Sequence, residues 1–400
     1  MSIKIINKKS LVIKPKKSTK AYSKTKYYSY CKGTLTEGCA QCVKGKKMVL
    51  FITGLCPQRC FYCPVSQDKF SKDKIFANEW EIKDANNPVE MIEECILTEA
   101  SGCGITGGDP LTKIDRTCNY IKILKKKFTK KFHVHLYTTL SLVTEKNLKM
   151  LYDSGLDEIR FHPDLNNTKN WNKLILAKKY PWKIGIEIPV IPGYDDRIKK
   201  LMDFIDDKIE FLNLNELEFS DTDAKHYTLD KMNFKQKDSV SYGILGSSEL
   251  ALKLIEYGKN KKYNIHFCTA KLKNMVQMGS RLKIRAKNSS KQFDKLTADG
   301  FLYRGAAYLK GFEPGFNHQK KLSTKTKNDI ILLGELIKEL ISSKVLKIDE
   351  FQLDLPRMRL LLSAKKIKKI AKELKKKGLI PALVTEYPTS DFFTLELEFL

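Results

Sequence analysis

The 400-residue sequence contains no run of about 18 apolar residues, which argues against a membrane-spanning helix. Its first twenty residues, MSIKIINKKSLVIKPKKSTK, lack the apolar stretch and small-residue cleavage site of a secretory leader. Together these absences predict a cytoplasmic protein with no membrane partner. Acidic residues are also scarce: 46 Asp and Glu stand against 73 Lys and Arg, a formal charge of +27. A positive field of that size attracts polyanions, so nucleic acid is a candidate partner. The lysines are spread along the whole chain, however, and that pattern fits simple solvation of the surface equally well.

A disulfide framework is a further expected absence, because cytoplasmic thiols stay reduced. The ten cysteines therefore need another explanation. Six fall in two tight clusters, Cys31, Cys39 and Cys42, then Cys56, Cys60 and Cys63. Short spacing of this kind is what metal ligation requires. Cys95 and Cys118 fall in helical segments, where a free cysteine is commonly a small buried hydrophobe.

At 42% hydrophobic, the chain can bury one domain of roughly 200–250 residues and a smaller one. Residues 1–45 read as a basic, tyrosine-bearing arm and a cysteine-rich metal-binding extension. Over 46–270, strand-like segments (48–54, 103–106, 132–139, 157–162, 182–193, 212–220 and 263–270) alternate with helical ones, among them 88–100, 145–155, 170–180 and 197–207. Six βα units with short loops predict an α/β fold, a partial (β/α)6 TIM-like barrel with its functional loops at the strands' C-terminal ends. Alternation over 281–288 and 300–309 predicts a small β-rich segment within 271–320. Residues 321–400 predict a C-terminal α+β module with helices near 329–343 and 364–377 and strands near 379–386 and 392–399. The 364–377 helix carries eight lysines, which fit a solvated face or contact with a phosphate backbone. Arg281, Lys283, Arg285 and Lys287 form the other candidate basic surface.

The chemistry concentrates where the first strand ends. Cys56-Pro-Gln-Arg-Cys60-Phe-Tyr-Cys63 spaces three thiols so that they can hold three irons of one cubane and leave the fourth iron open. An open metal position admits a small chelating ligand. A structural four-cysteine site would need a fourth ligand close by. With the strand before it and Gly107-Gly108-Asp109-Pro110 one βα unit later, the motif resembles the radical S-adenosylmethionine (SAM) superfamily, and most nearly its activating-enzyme-like branch. The resemblance covers about residues 46–220, up to 270 on a generous view.

That resemblance implies a 4Fe-4S cluster on Cys56, Cys60 and Cys63, with Tyr62 against the adenine of SAM. It implies that Gly107, Gly108, Asp109 and Pro110 bind the amino group of SAM, with Asp standing where the family has Glu. It further implies reductive cleavage of SAM, a 5′-deoxyadenosyl radical, hydrogen abstraction from substrate, and an electron donor such as ferredoxin or flavodoxin. Other strand ends should line the site: Thr138, Thr139, Arg160, His162 and Glu187 are candidates, Thr138 and Glu187 as cofactor contacts. The substrate is left open between a macromolecule (tRNA or a protein side chain) and a small molecule, with a glycyl-radical-enzyme activase as an alternative. A non-catalytic, zinc-containing nucleic-acid-binding protein is the alternative outside enzymes.

The upstream cluster, Cys31-x7-Cys39-x2-Cys42, predicts a second site holding zinc or an auxiliary iron–sulfur cluster, both favoured by thiolates. Cys268 is the expected fourth ligand and His266 its substitute. The alternative is a set of reduced cysteines in a surface loop.

Overall fold

In the computed structural model, residues 20–238 and 241–400 are described; residues 1–19 of the expected arm lie outside them. Eleven strands form the larger sheet: β1 (Ser23–Lys24), β2 (Tyr30–Lys32), β3 (Lys47–Phe51), β4 (Ile75–Ala77), β5 (Trp80–Ile82), β6 (Gly102–Thr106), β7 (His133–Thr138), β8 (Glu158–Phe161), β9 (Lys183–Val190), β10 (Phe211–Glu216) and β11 (Asn264–Cys268). Their order is β1-β2-β11-β10-β9-β8-β7-β6-β3-β4-β5. From β3 to β11 every neighbouring pair in the run β3-β6-β7-β8-β9-β10-β11 is parallel. The parallel run thus extends one strand past the expected six. Two antiparallel hairpin-like additions, β1-β2 and β4-β5, border it, and β1 and β5 do not pair with each other, so the barrel is open.

Side chains alternate faces along a strand, and here the two faces differ in kind. Met48, Leu50, Ile105, Val134, Leu136, Ile159, Phe161, Ile186 and Ile188 point one way into the main core, beneath the helices. The other face carries Lys47, Gly104, His135, Tyr137, Arg160, Glu187, Asn213 and His266. Parallel sheets are usually apolar on both faces. A polar inner face survives only if its groups find partners, and that requirement shapes the site.

The helix Glu37–Cys42 meets this inner face where the parallel strands begin. A Cβ on Gly38 would lie 2.7 Å from the His135 ring, and one on Gly102 would lie 2.0 Å from Gln41 Oε1. Cys31, Cys39 and Cys42 are buried, which corrects the reading of this cluster as a surface loop.

Two segments differ from their sequence patterns for identifiable reasons. Residues 170–180 form a 3₁₀ stretch, Trp171–Lys179, instead of an α-helix. Its buried residues Trp171, Leu174 and Ala177 recur every three, the 3₁₀ period. Residues 281–288 are not a strand but part of the helix Gly279–Ser289. The alternation in RLKIRAKN hides a helical set, Leu282, Arg285 and Ala286, and Arg285 pairs with Glu94 at 2.8 Å on the helix Val89–Leu97. The basic surface expected at 281–288 is therefore partly spent on this contact.

The smaller sheet contains β12 (Lys295–Leu296), β13 (Leu302–Leu309), β14 (Phe351–Asp354), β15 (Arg359–Leu362), β16 (Leu379–Glu386) and β17 (Thr394–Phe399), all antiparallel, with β13 between β15 and β16. The helices Lys327–Ser342 and Ala364–Lys376 cover one face through Leu333, Ile337, Ile367, Ile370 and Leu374. On the Ala364–Lys376 helix the lysines occupy the opposite side. Among the described residues, no helix is long and apolar enough to cross a membrane.

Beside that sheet's apolar residues lies a buried ionic group: Glu386 accepts from Arg359 at 2.5 Å, and Arg304 binds Asp294 at 2.7 Å. Removing one member strands the others without water. Glu386→Ala should lower stability by about 3–5 kcal/mol, whereas Glu398→Ala on the exposed edge should change it by less than about 0.5 kcal/mol. Urea unfolding compares the two; equal effects would refute the assignment.

Candidate active site

The chain leaves β3 at Phe51 and returns at β4, and the loop between them is fastened at both ends. Gly54 N–H donates to the Lys72 carbonyl at 2.8 Å, and Ser71 N–H donates to the Gly54 carbonyl at 2.9 Å. Asp73 accepts from Thr53 Oγ1 and from both Arg116 terminal nitrogens at 2.7–3.0 Å. The Arg116 hydrogen bonds are the leading cause that holds its carboxyl well below the usual range. A loop fixed in this way presents Cys56, Cys60 and Cys63 at the C-terminal end of the sheet, all three partly exposed and unpaired.

Gly107 and Gly108 explain how β6 meets this loop. Gly108 N–H donates to the Thr53 carbonyl at 2.7 Å and Asp109 N–H to the Leu55 carbonyl at 2.8 Å. A Cβ on Gly108 would lie 2.3 Å from the Leu55 carbonyl oxygen, and one on Gly107 would lie 2.4 Å from that of Thr53. Gly107 also has φ +145°, a region open to glycine. The glycines therefore let backbone approach backbone, and the cysteine loop is laced to the second strand.

The expectation for Asp109 needs correction. Its carboxylate is fully buried and already accepts four hydrogen bonds: Oδ1 from Leu111 N–H (3.0 Å) and Thr138 Oγ1 (2.8 Å), Oδ2 from Thr139 N–H (3.0 Å) and Thr139 Oγ1 (2.7 Å). With these acceptor positions filled, Asp109 ties the end of β6 to the end of β7 and is not free to receive an ammonium. Pro110 opens a buried 3₁₀ turn behind it. The shorter Asp side chain suits this bridging role.

The remaining predicted residues converge. A cavity of about 380 Å³ is lined by the three thiols, Tyr62, Gly107, Gly108, Thr138, Thr139, His162 and Glu187. Tyr62 OH lies 2.9 Å from His162 Nε2, and His162 Nδ1 lies 2.8 Å from the Glu187 carbonyl oxygen. Burial lowers the His162 pKa, which favours the neutral ring. Burial also pushes the thiols of Cys56 and Cys60 up to about 11, so a metal must displace their protons on binding. No other cysteine lines this cavity.

Three thiols with no fourth, a lacing of glycines and a wall bearing a neutral imidazole and a carboxylate fit a cluster with one open iron and a bound nucleoside. The model of the radical SAM superfamily matches residues 50–205. A protein of Methanocaldococcus jannaschii, provisionally named a glycyl-radical enzyme activating enzyme, is 47% identical over 280 residues, which cover 68% of this chain and 73% of the relative. The chain belongs to the radical SAM superfamily. Enzymes of this superfamily use a 4Fe-4S cluster and SAM. Among solved structures, SuiB of Streptococcus suis bound to SAM is 13% identical, covers 56% of this chain and 50% of its own, and has a TM-score of 0.39. Methylornithine synthase is 12% identical, covers 56% of this chain and 71% of its own, and scores 0.38. The chain thus spans about half the length of SuiB.

Arg160, expected at a strand end near SAM, lies deeper. Its guanidinium donates to Glu158 (2.6 Å), Glu187 (2.9 Å), Tyr137 OH (3.1 Å) and Thr36 Oγ1 (3.2 Å). Burial alone would raise the Glu187 carboxyl, but Arg160 and the amides of Asn213 and Asn215 together outweigh it and hold the group down at about 2. Sequence reasoning missed Lys47, Tyr137 and Asn215, which line the same cavity wall as Glu187. Their signal is weak: polar residues at alternate positions of otherwise apolar strands.

The second cysteine cluster also converges in part. Cys39, Cys42, Cys268 and His266 line a cavity of about 290 Å³ that shares Lys47, Tyr137, Glu187 and Asn215 with the first. Cys31 does not line it; its thiol donates to the Gly33 carbonyl at 3.3 Å. Among the described residues, the one group of three His, Cys, Asp or Glu ligand atoms within 4.8 Å of one another is His133, His135 and Glu158. The Arg160 guanidinium already occupies Glu158 there, so a cation would share the site with a buried positive charge.

Asp109→Ala leaves donors of Leu111, Thr138 and Thr139 without their acceptor. Such buried losses cost about 1–3 kcal/mol, so thermal unfolding should shift downward even without SAM. A variant of unchanged stability that loses only SAM affinity would restore the direct-contact reading.

Proposed function

We propose that this enzyme binds a 4Fe-4S cluster through Cys56, Cys60 and Cys63 and holds SAM in the adjoining cavity, to abstract a hydrogen atom from a substrate entering at the loop face. When reduced, the bound cluster supplies the electron that cleaves SAM to methionine and a 5′-deoxyadenosyl radical. The observation that carries this reading is the convergence of the three thiols, the Gly107-Gly108 backbone and Tyr62 on one cavity. The protein's own residues orient and enclose. Tyr62, braced by His162, offers a ring face to the adenine. Thr138 and Thr139, held by Asp109, fix the wall opposite the cysteine loop. Glu187, kept ionised by Arg160, offers a carboxylate to the ammonium of SAM or to a polar substrate group.

The name of the M. jannaschii relative supports a polypeptide as hydrogen donor, and a glycine backbone position in particular. A low-potential carrier such as ferredoxin or flavodoxin would supply the electron. Formal charge of +27 keeps tRNA as the second reading of the substrate.

Anaerobically reconstituted protein with SAM and dithionite should form 5′-deoxyadenosine, and Cys60→Ala should reduce it to background while far-UV circular dichroism stays unchanged. Product from Cys60→Ala equal to wild type would sink the proposal. An electron paramagnetic resonance doublet on a candidate partner protein would identify a glycyl radical; a radical quenched by added tRNA with a modified nucleoside would favour RNA.

A further inference from the structure

The barrel interior beside the helix Glu37–Cys42 holds chemistry that SAM cleavage does not use. We propose that Cys39, Cys42, Cys268 and His266 ligate a second iron–sulfur cubane inside the barrel, on the far side of the Lys47–Glu187 wall from SAM. Two ligands come from the helix Glu37–Cys42 and two from β11, where residues 266 and 268 share a face. All four line one cavity of about 290 Å³.

Two observations point to a metal. His266 is 5% exposed, lines the cavity beside the Cys39 thiol, and neither of its ring nitrogens has an oxygen or nitrogen partner. A buried imidazole left in that state is costly, and a metal bond satisfies it. Lys47 also lines the cavity, and no carboxylate among the described residues lies within 4.0 Å of its ammonium. The one carboxylate lining the cavity, Glu187, is already committed to Arg160, so an anionic thiolate-ligated iron–sulfur cluster suits the further enclosed cation.

Spacing selects the kind of metal. One tetrahedral zinc with bonds of about 2.3 Å to sulfur draws its ligands close together. No three of these ligand atoms lie within 4.8 Å of one another. The Cys56, Cys60 and Cys63 thiols share that wider spacing. A cubane sets metal–metal edges between its ligands and so spreads them.

The test does not depend on SAM chemistry. The full chain carrying Cys56→Ala, Cys60→Ala and Cys63→Ala, reconstituted anaerobically, should retain about four irons and four sulfides with a visible charge-transfer band. Adding Cys39→Ala and Cys42→Ala should remove both iron and band. If those variants fail to fold, wild-type chain should hold about eight irons by Mössbauer integration, against about four for one cluster. His266→Cys should keep the iron and change the reduced-state resonance. An iron-free triple variant, one zinc per chain, or an unchanged resonance in His266→Cys would overturn the assignment.

Discussion

The guanidinium of Arg160 is the interaction on which the barrel interior depends. It is 1% exposed and joins β8 to β7, β9 and the residue preceding the helix Glu37–Cys42. Taking an ion out of water costs several kcal/mol, and its attraction to Glu158 and Glu187 offsets that only because nearly every N–H finds an acceptor. Such a cluster adds little net stability relative to a greasy core. What it adds is uniqueness, since each strand has one register that lets its polar residue reach the guanidinium. Arginine suits this role because its fork addresses several partners at once.

From this interior the two ends of the barrel acquire different characters. At the C-terminal end, backbone pairing between Gly108 and Thr53 and between Asp109 and Leu55 makes the cysteine loop an extension of the sheet. Asp109 then carries the constraint across to β7 through two threonines. A loop that must present three thiols to one cluster cannot be loose, and most of its rigidity comes from backbone hydrogen bonds that are independent of side-chain identity. Only glycine permits them, because any Cβ at 107 or 108 meets a carbonyl oxygen within 2.4 Å.

The alternation of strands and helices was legible from periodicity because the outer face obeys it: Val134 and Leu136, or Ile186 and Ile188, announce their strands. The cysteine motif was legible because ligand spacing is local. What sequence could not yield were the contacts made at long range. The four bonds to Asp109 come from residues 2 to 30 positions away, and its substitution for Glu reads equally as a shortened ligand or as a bridge. The strand reading of 281–288 failed for a related reason. Period two and period 3.6 overlap in a short segment, and only the partner Glu94, 191 positions away, shows which face is buried. Likewise Cys31 belongs to the second cluster by spacing, yet its thiol turns toward Gly33 while Cys268, distant in sequence, joins Cys39 and Cys42 at one cavity.

The polar inner face also constrains what can enter. An apolar substrate would have to displace Glu187, Asn215 and Tyr137 from their partners without replacing any hydrogen bond, a cost of about 1–3 kcal/mol for each buried group left unmet. A hydrogen-bonding group, whether an amide backbone or a charged head, meets donors and an acceptor already in place. The carboxylate of Glu187 is central to this selection. Arg160 and the two asparagines at 213 and 215 hold it ionised and fixed, so it presents an acceptor with no reorganisation when a ligand arrives. The interaction that determines the fold of the interior therefore also determines its chemistry: the same guanidinium that sets the strands in register holds the carboxylate beside the SAM cavity in the form that binds.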